Sequence, residues 1–170
     1  VMPRHLTDEK LDEVINAVSV KLKDTGLSRR GPLLRILKDG NCGLIEFQLS
    51  QKTLPERLLF TVNVGVVCGA LLDVTSEELN KIRIIDAHIR QRLGMFMPGR
   101  PDKWWEITPS TESNVLADEI SELLLTTAVP YIFGLLNTSD IISLWESGQC
   151  PGLTDGQRLR FLNLLRKTNK

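Results

Sequence analysis

The chain has 170 residues, 42% hydrophobic and 25% charged, the profile of one soluble globular domain able to bury a sizeable core. Lys plus Arg and Asp plus Glu both total 21, so the overall field draws in neither nucleic acid nor acidic membrane, and neither is expected as a partner. Three widely spaced cysteines (Cys42, Cys68 and Cys150) form no CxxC or Cys/His cluster, which argues against structural zinc and for reduced thiols in the cytoplasm.

The first residues, Val1-Met2-Pro3-Arg4-His5-Leu6, lack the apolar core of a secretory signal. The most apolar stretch, Leu58–Leu72, contains Thr61 and Asn63 and is too short to span a bilayer. From Thr7 to Lys23, Leu11, Val14, Ile15, Val18 and Leu22 recur at helical spacing. Thr7 is the expected N-cap, with Asp8 and Glu9 in the first turn and Gly26 as the stop.

Residues 33–107 read as β. Leu33–Lys38, the turn Asp39-Gly40-Asn41 and Cys42–Gln51 predict a hairpin. Ile45, Phe47 and Leu49 alternate with Glu46, Gln48 and Ser50. In the next strand, Leu58–Cys68, Phe60, Val62, Val64 and Val66 alternate with Thr61, Asn63 and Gly65. This pattern predicts an antiparallel meander with one buried and one polar face. Thr75-Ser76-Glu77-Glu78 predicts a short capped helical turn.

The segment Asp86–Leu93 is expected as a fourth strand and Lys103–Ile107 as a fifth, joined through Met97–Asp102. The competing reading is one helix over Ser76–Leu93, since Leu79, Ile82, Asp86, Ile89 and Leu93 also fit helical spacing; strand is preferred for His88–Leu93. Trp105 and Ile107 are expected in the core, leaving Trp104 on the polar face with Glu106.

The last third is helical. Val115, Leu116, Ile120, Leu123 and Leu124 define a helix begun at Ser113 or Asn114 and ended before Pro130. Thr138-Ser139-Asp140 opens a helix through Trp145 that stops near Gly148. Thr154-Asp155 opens a final helix with Leu159, Leu162 and Leu165 inside and Arg158, Arg160, Arg166 and Lys167 outside. The basic run to Lys170 reads as an ordinary helix end and tail. The predicted fold is a single α+β domain over residues 1–170: an antiparallel sheet of four to five strands, an N-terminal helix and several C-terminal helices packed on it.

Four motifs occur in a recognisable order. They are Gly26-Leu27-Ser28-Arg29-Arg30 leading into a strand, Glu46-Phe47-Gln48, Phe60-Thr61-Val62-Asn63-Val64-Gly65, and His88–Gly94 followed by Trp104-Trp105. In this order, over Leu11 to Trp145, the chain resembles a bacterial family known only as a domain of unknown function. Leu27 stands where that family usually has an aromatic residue. The resemblance implies an α+β fold and a bacterial source, and brings no activity, cofactor or catalytic residue.

The candidate site is the polar sheet face, where His88, Arg90, Arg92, Trp104, Glu46, Gln48 and Asn63 converge if the strands pair in order. Two guanidinium groups beside an indole can clamp a carboxylate or phosphate. The plainer and preferred alternative pairs Arg90 and Arg92 with Glu46 and Asp86 as ordinary cross-strand ion pairs. His88 has the pKa range of a general base, with Asp86 or Glu46 to orient it, but its possible nucleophiles Ser50, Thr61 and Cys68 lie in no catalytic motif. His5 and His88 are too far apart to suggest metal, the acidic pairs sit at helix starts, and no phosphate loop follows Gly65 or Gly69. No metal or cofactor is expected. The leading expectation is a non-enzymatic bacterial binding module for a protein or small anionic ligand. The alternatives are a hydrolase or transferase using His88 with Arg90 and Arg92, and a homo-oligomer joined through the polar face.

Overall fold

The alternating stretches form one antiparallel sheet. β1 (Ser28–Arg30), β2 (Leu33–Lys38), β3 (Asn41–Leu49) and β4 (Leu58–Cys68) lie side by side in chain order. The long β4 then takes two short partners along its far edge: β5 (Ile89–Arg92) beside residues 63–66 and β6 (Trp105–Ile107) beside residues 58–60. The structure is a computed structural model that describes residues 5–168. The leader argument on Val1–Arg4 and the tail at Asn169 and Lys170 lie outside the described residues.

The helices are α1 (Leu6–Lys21), α2 (Ser76–Leu79), α3 (Ser113–Leu123), α4 (Val129–Phe133), α5 (Thr138–Glu146) and α6 (Asp155–Thr168). The α+β architecture is the expected one. It carries six strands because Ser28–Arg30 turns back at Gly31, φ +60°, to pair with Leu33–Arg35. Asp86–Leu93 resolves as the preferred strand rather than as a helix, although only from Ile89, since a single tight turn over Ile84–Asp86 precedes it.

One sheet face packs on helices. Phe60, Val62, Val64, Val66 and Ile45 are almost wholly excluded from water against Val14 and Val18 of α1, Ala117 and Ile120 of α3, and Ile132 of α4. Burying each large side chain contributes about 1.5–3 kcal/mol, which makes this layer the main source of stability. Trp105 and Ile107 are buried here as expected, and Trp105 lies 5.9 Å from Phe60 between ring centroids.

Several local expectations are corrected. Thr7 does not cap α1: it is buried and its hydroxyl donates to the Pro55 carbonyl at 2.7 Å, while His5 occupies the cap and its N–H donates to Asp8 Oδ2 at 3.2 Å. Pro130 does not end the α3 helix. The helix widens into one π turn over Leu124–Ala128, and α4 resumes with Pro130 in its first turn, where the missing N–H costs least. Leu49 and Leu159, expected inside, are about half exposed. Arg158, expected outside, lies mostly covered and donates to the Trp145 carbonyl at 2.7 Å. The caps of α2 and α6 form as expected, with Thr75 and Thr154 accepting from Glu78 N–H and Gln157 N–H.

The second sheet face is not simply wet. The segment 72–87, which contains α2, crosses it and packs Leu79, Ile82 and Ala87 on Leu33, Cys42, Leu44 and Val67. Gly65 permits this crossing. A Cβ there would stand 2.9 Å from Ala87 Cβ and 2.5 Å from the Ile84 side chain. No single helix among the described residues is long and apolar enough to cross a membrane.

Candidate functional site

Strand register decides which candidates meet. Glu46 stands opposite Asn63, and Asn63 opposite Arg92, so these three form one row across β3, β4 and β5. Gly65 stands opposite Arg90 in the next row on the same face. Asn63 Nδ2 donates to Gln48 Oε1 at 2.8 Å. Gln48, Asn63, Arg90 and Arg92 therefore come together, around a cleft of about 370 Å³ beside Ile84 and Ile85.

A larger cleft of about 870 Å³ adjoins it and shares Arg90 and Arg92. Its other walls come from Arg100 and Asp102, in the turn before β6, and from Cys150, Pro151 and Gly152, between α5 and α6. The latter segment follows the outer edge of β5. Arg90 N–H donates to the Pro151 carbonyl at 3.0 Å, and Gly152, φ +85°, lies so close that a Cβ there would be 3.0 Å from Arg90 Cβ.

The three arginines of this cleft have different surroundings. Arg92 Nη1 binds Asp102 Oδ1 at 2.5 Å, and its guanidinium sits 5.1 Å from the Trp104 ring centroid. Trp104 Nε1 donates to Asp102 Oδ2 at 3.3 Å, so aspartate, indole and guanidinium form one cluster. The hydrogen bonds from Arg92 and Trp104 hold the Asp102 carboxyl below its usual range. Arg90 and Arg100 form no ion pair among the described residues and are exposed.

Three predicted members line neither cleft: Trp104, which meets only Arg92 and Asp102 of the wall, Glu46 and His88. Glu46 is 4% exposed and receives two hydrogen bonds from Arg83, one of them from Nε at 2.9 Å. Its partner is thus Arg83, and that of Arg92 is Asp102, in place of the cross-strand pairs expected from the alternation. His88 is 7% exposed and edge-on to Phe161, with ring centroids 5.2 Å apart. Its Nδ1 accepts the Cys68 N–H at 3.0 Å, and burial lowers its pKa to about 4. His88 is separated from Arg90 and Arg92 because the strand starts only at Ile89. The thiols of Cys42 and Cys68 are likewise buried, which pushes both pKa values up, that of Cys42 to about 11.

Sequence reasoning missed Arg100 and the segment Cys150–Gly152. Both lie in turns rich in Gly and Pro, which was the only signal available, and nothing local places the second beside β5. Among the described residues no group of three or more His, Cys, Asp or Glu side chains is arranged to hold a metal ion.

Neither the curated proteins nor the solved structures contain a match to this chain. Residues 18–133 match the family model described as Domain of unknown function (DUF4304), a span that holds β1–β6, Arg90, Arg92 and Arg100 but ends before Pro151 and Gly152, and the chain belongs to that family.

Proposed function

We propose that the protein is a binding module of the bacterial cytosol that takes a small anionic ligand in the cleft between β5 and the segment Cys150–Gly152. One observation carries this reading: among the described residues Arg90 and Arg100 lack a carboxylate partner, and Asp102, the acidic residue of the same wall, is committed to Arg92. Unpaired guanidinium groups in a cleft of this size suit the carboxylate or phosphate of a metabolite, which they can grip with paired N–H donors. The unbridged cysteines support a reducing compartment, and the motif order supports the bacterial source.

A ligand bound only by the folded protein raises the melting temperature by mass action. A thermal-shift screen of mono- and dicarboxylates and phosphate esters tests the reading. A hit whose shift is lost in Arg90→Ala and Arg100→Ala supports it, and a screen without any saturable shift overturns it.

A protein partner offering an acidic side chain is the second reading, favoured by Ile85, which is 76% exposed on the rim of the smaller cleft. Hydrolase or transferase chemistry through His88 has less support, since its Nδ1 is already occupied and its ring is buried apart from both arginine clefts.

A further inference from the structure

The same sheet face carries a second concentration of positive charge, at its opposite edge. β1 and β2 contribute Arg30 and Arg35, which the register places on one side of the sheet: Arg30 opposite Leu33, and Ser28 opposite Arg35. The crossing segment contributes Lys81 and Arg83. These four side chains line a cleft of about 350 Å³ together with Pro32, Leu33 and Asn80, and among the described residues no carboxylate belongs to its wall.

Two of the four cations, Arg35 and Arg83, are held in place. Arg35 Nη2 donates to the Ile82 carbonyl at 2.5 Å, which ties β2 to the crossing segment. Arg35 also lies beside the buried Cys42 thiol, whose pKa burial pushes up while the charge and hydrogen bond of Arg35 draw it down. Arg83 is fixed by its hydrogen bonds to Glu46 beneath. Arg30 and Lys81 are exposed and form no ion pair among the described residues.

We infer that this cleft is an anion site distinct from the one beside β5, and that its ligand carries a phosphate or pyrophosphate group. Charge decides between anions. Four cations with two neighbouring carboxylates, Glu46 and Asp86, leave two charges to neutralise, which a single carboxylate does not do and a multiply charged phosphoryl group does. Three guanidinium planes and an ammonium also match a tetrahedral oxyanion with several acceptor oxygens. The volume leaves room for little beyond the phosphoryl groups and a small organic body, at the lower end of ligand-site sizes.

The test uses the full chain and inorganic pyrophosphate. Calorimetric titration is expected to show one saturable site whose affinity falls as salt rises. The double variant Arg30→Ala/Lys81→Ala removes two exposed side chains that form no ion pair among the described residues, so it should keep the native melting profile, and it should weaken pyrophosphate by about tenfold or more. In amide-detected NMR the titration should move signals of residues 30–35 and 80–83. Absence of saturable binding overturns the inference. So does binding that survives the double variant, or signal changes confined to residues 90–92 and 150–152. Succinate titrated under the same conditions should bind at least about tenfold more weakly, and equal affinity would refute the phosphoryl assignment.

Discussion

Arg35 and Arg90 belong to one row across the sheet. Arg35 stands opposite Leu44, Leu44 opposite Gly65 and Gly65 opposite Arg90, so both arginines emerge on one face, three strand spacings or about 14 Å apart. The middle of that row is apolar or bare, and Ile84 and Ala87 lie on it. The crossing segment thus divides a basic face into two clefts, one at each edge.

Asp102 competes with any ligand for Arg92. Asp102→Asn keeps the shape of the side chain and removes its charge, so an anion bound beside β5 should bind several-fold more tightly. Titration of the variant with the ligand found by thermal shift checks this, and weaker binding would mean that the carboxylate positions Arg92 instead.

His88 should make the protein acid-sensitive. Its folded pKa, about 4, lies below the unfolded value near 6.5, so the unfolded chain binds the extra proton. The stabilising contribution is therefore complete above about pH 6.5 and is lost as pH falls toward 4, by about 3 kcal/mol in all. Denaturant unfolding at pH 7 and pH 4.5 measures the loss. His88→Gln, which retains an acceptor for the Cys68 N–H but does not titrate, should lose less between the two values than the native protein.

Gly152 is needed twice, for its positive φ and for its closeness to Arg90. Gly152→Ala should lower stability by about 1–2 kcal/mol. The same substitution displaces Arg90, so it should also reduce anion binding in the β5 cleft while leaving the Arg35 cleft unchanged. Chemical denaturation and the two titrations separate these effects.

Arg83→Ala leaves the buried Glu46 carboxylate without its guanidinium and should cost about 1–3 kcal/mol. Adding Glu46→Gln removes the stranded charge and should restore part of that stability. A double variant less stable than Arg83→Ala alone would show that the carboxylate has another role. Equilibrium unfolding of the native protein and the variants reads each step.

The strands were legible because alternation over β3 and β4 is nearly unbroken and sets both register and buried face. The rest depends on contacts distant in sequence. Glu46 looks like a surface residue in the pattern HPHP of β3, and only the crossing of residues 72–87 buries it and supplies Arg83. Arg90 and Arg92 were identifiable as a pair on one face, yet their different surroundings come from Asp102 and from the Pro151 segment some sixty residues on. His88 shares the parity of Arg90, but parity has force only inside a paired strand, and β5 begins one residue later.

The contact between Arg90 and Pro151 has a consequence for how the molecule behaves in a crowded solution. The outer edge of a terminal strand invites a further chain to extend the sheet, and from there an aggregate grows. Here the edge is met by a residue that accepts a hydrogen bond through its carbonyl and has no N–H of its own to offer. The segment therefore ends the ladder without becoming a new rung: the proline stops the sheet from being copied outward, while leaving the arginine side chains beside it open to a ligand.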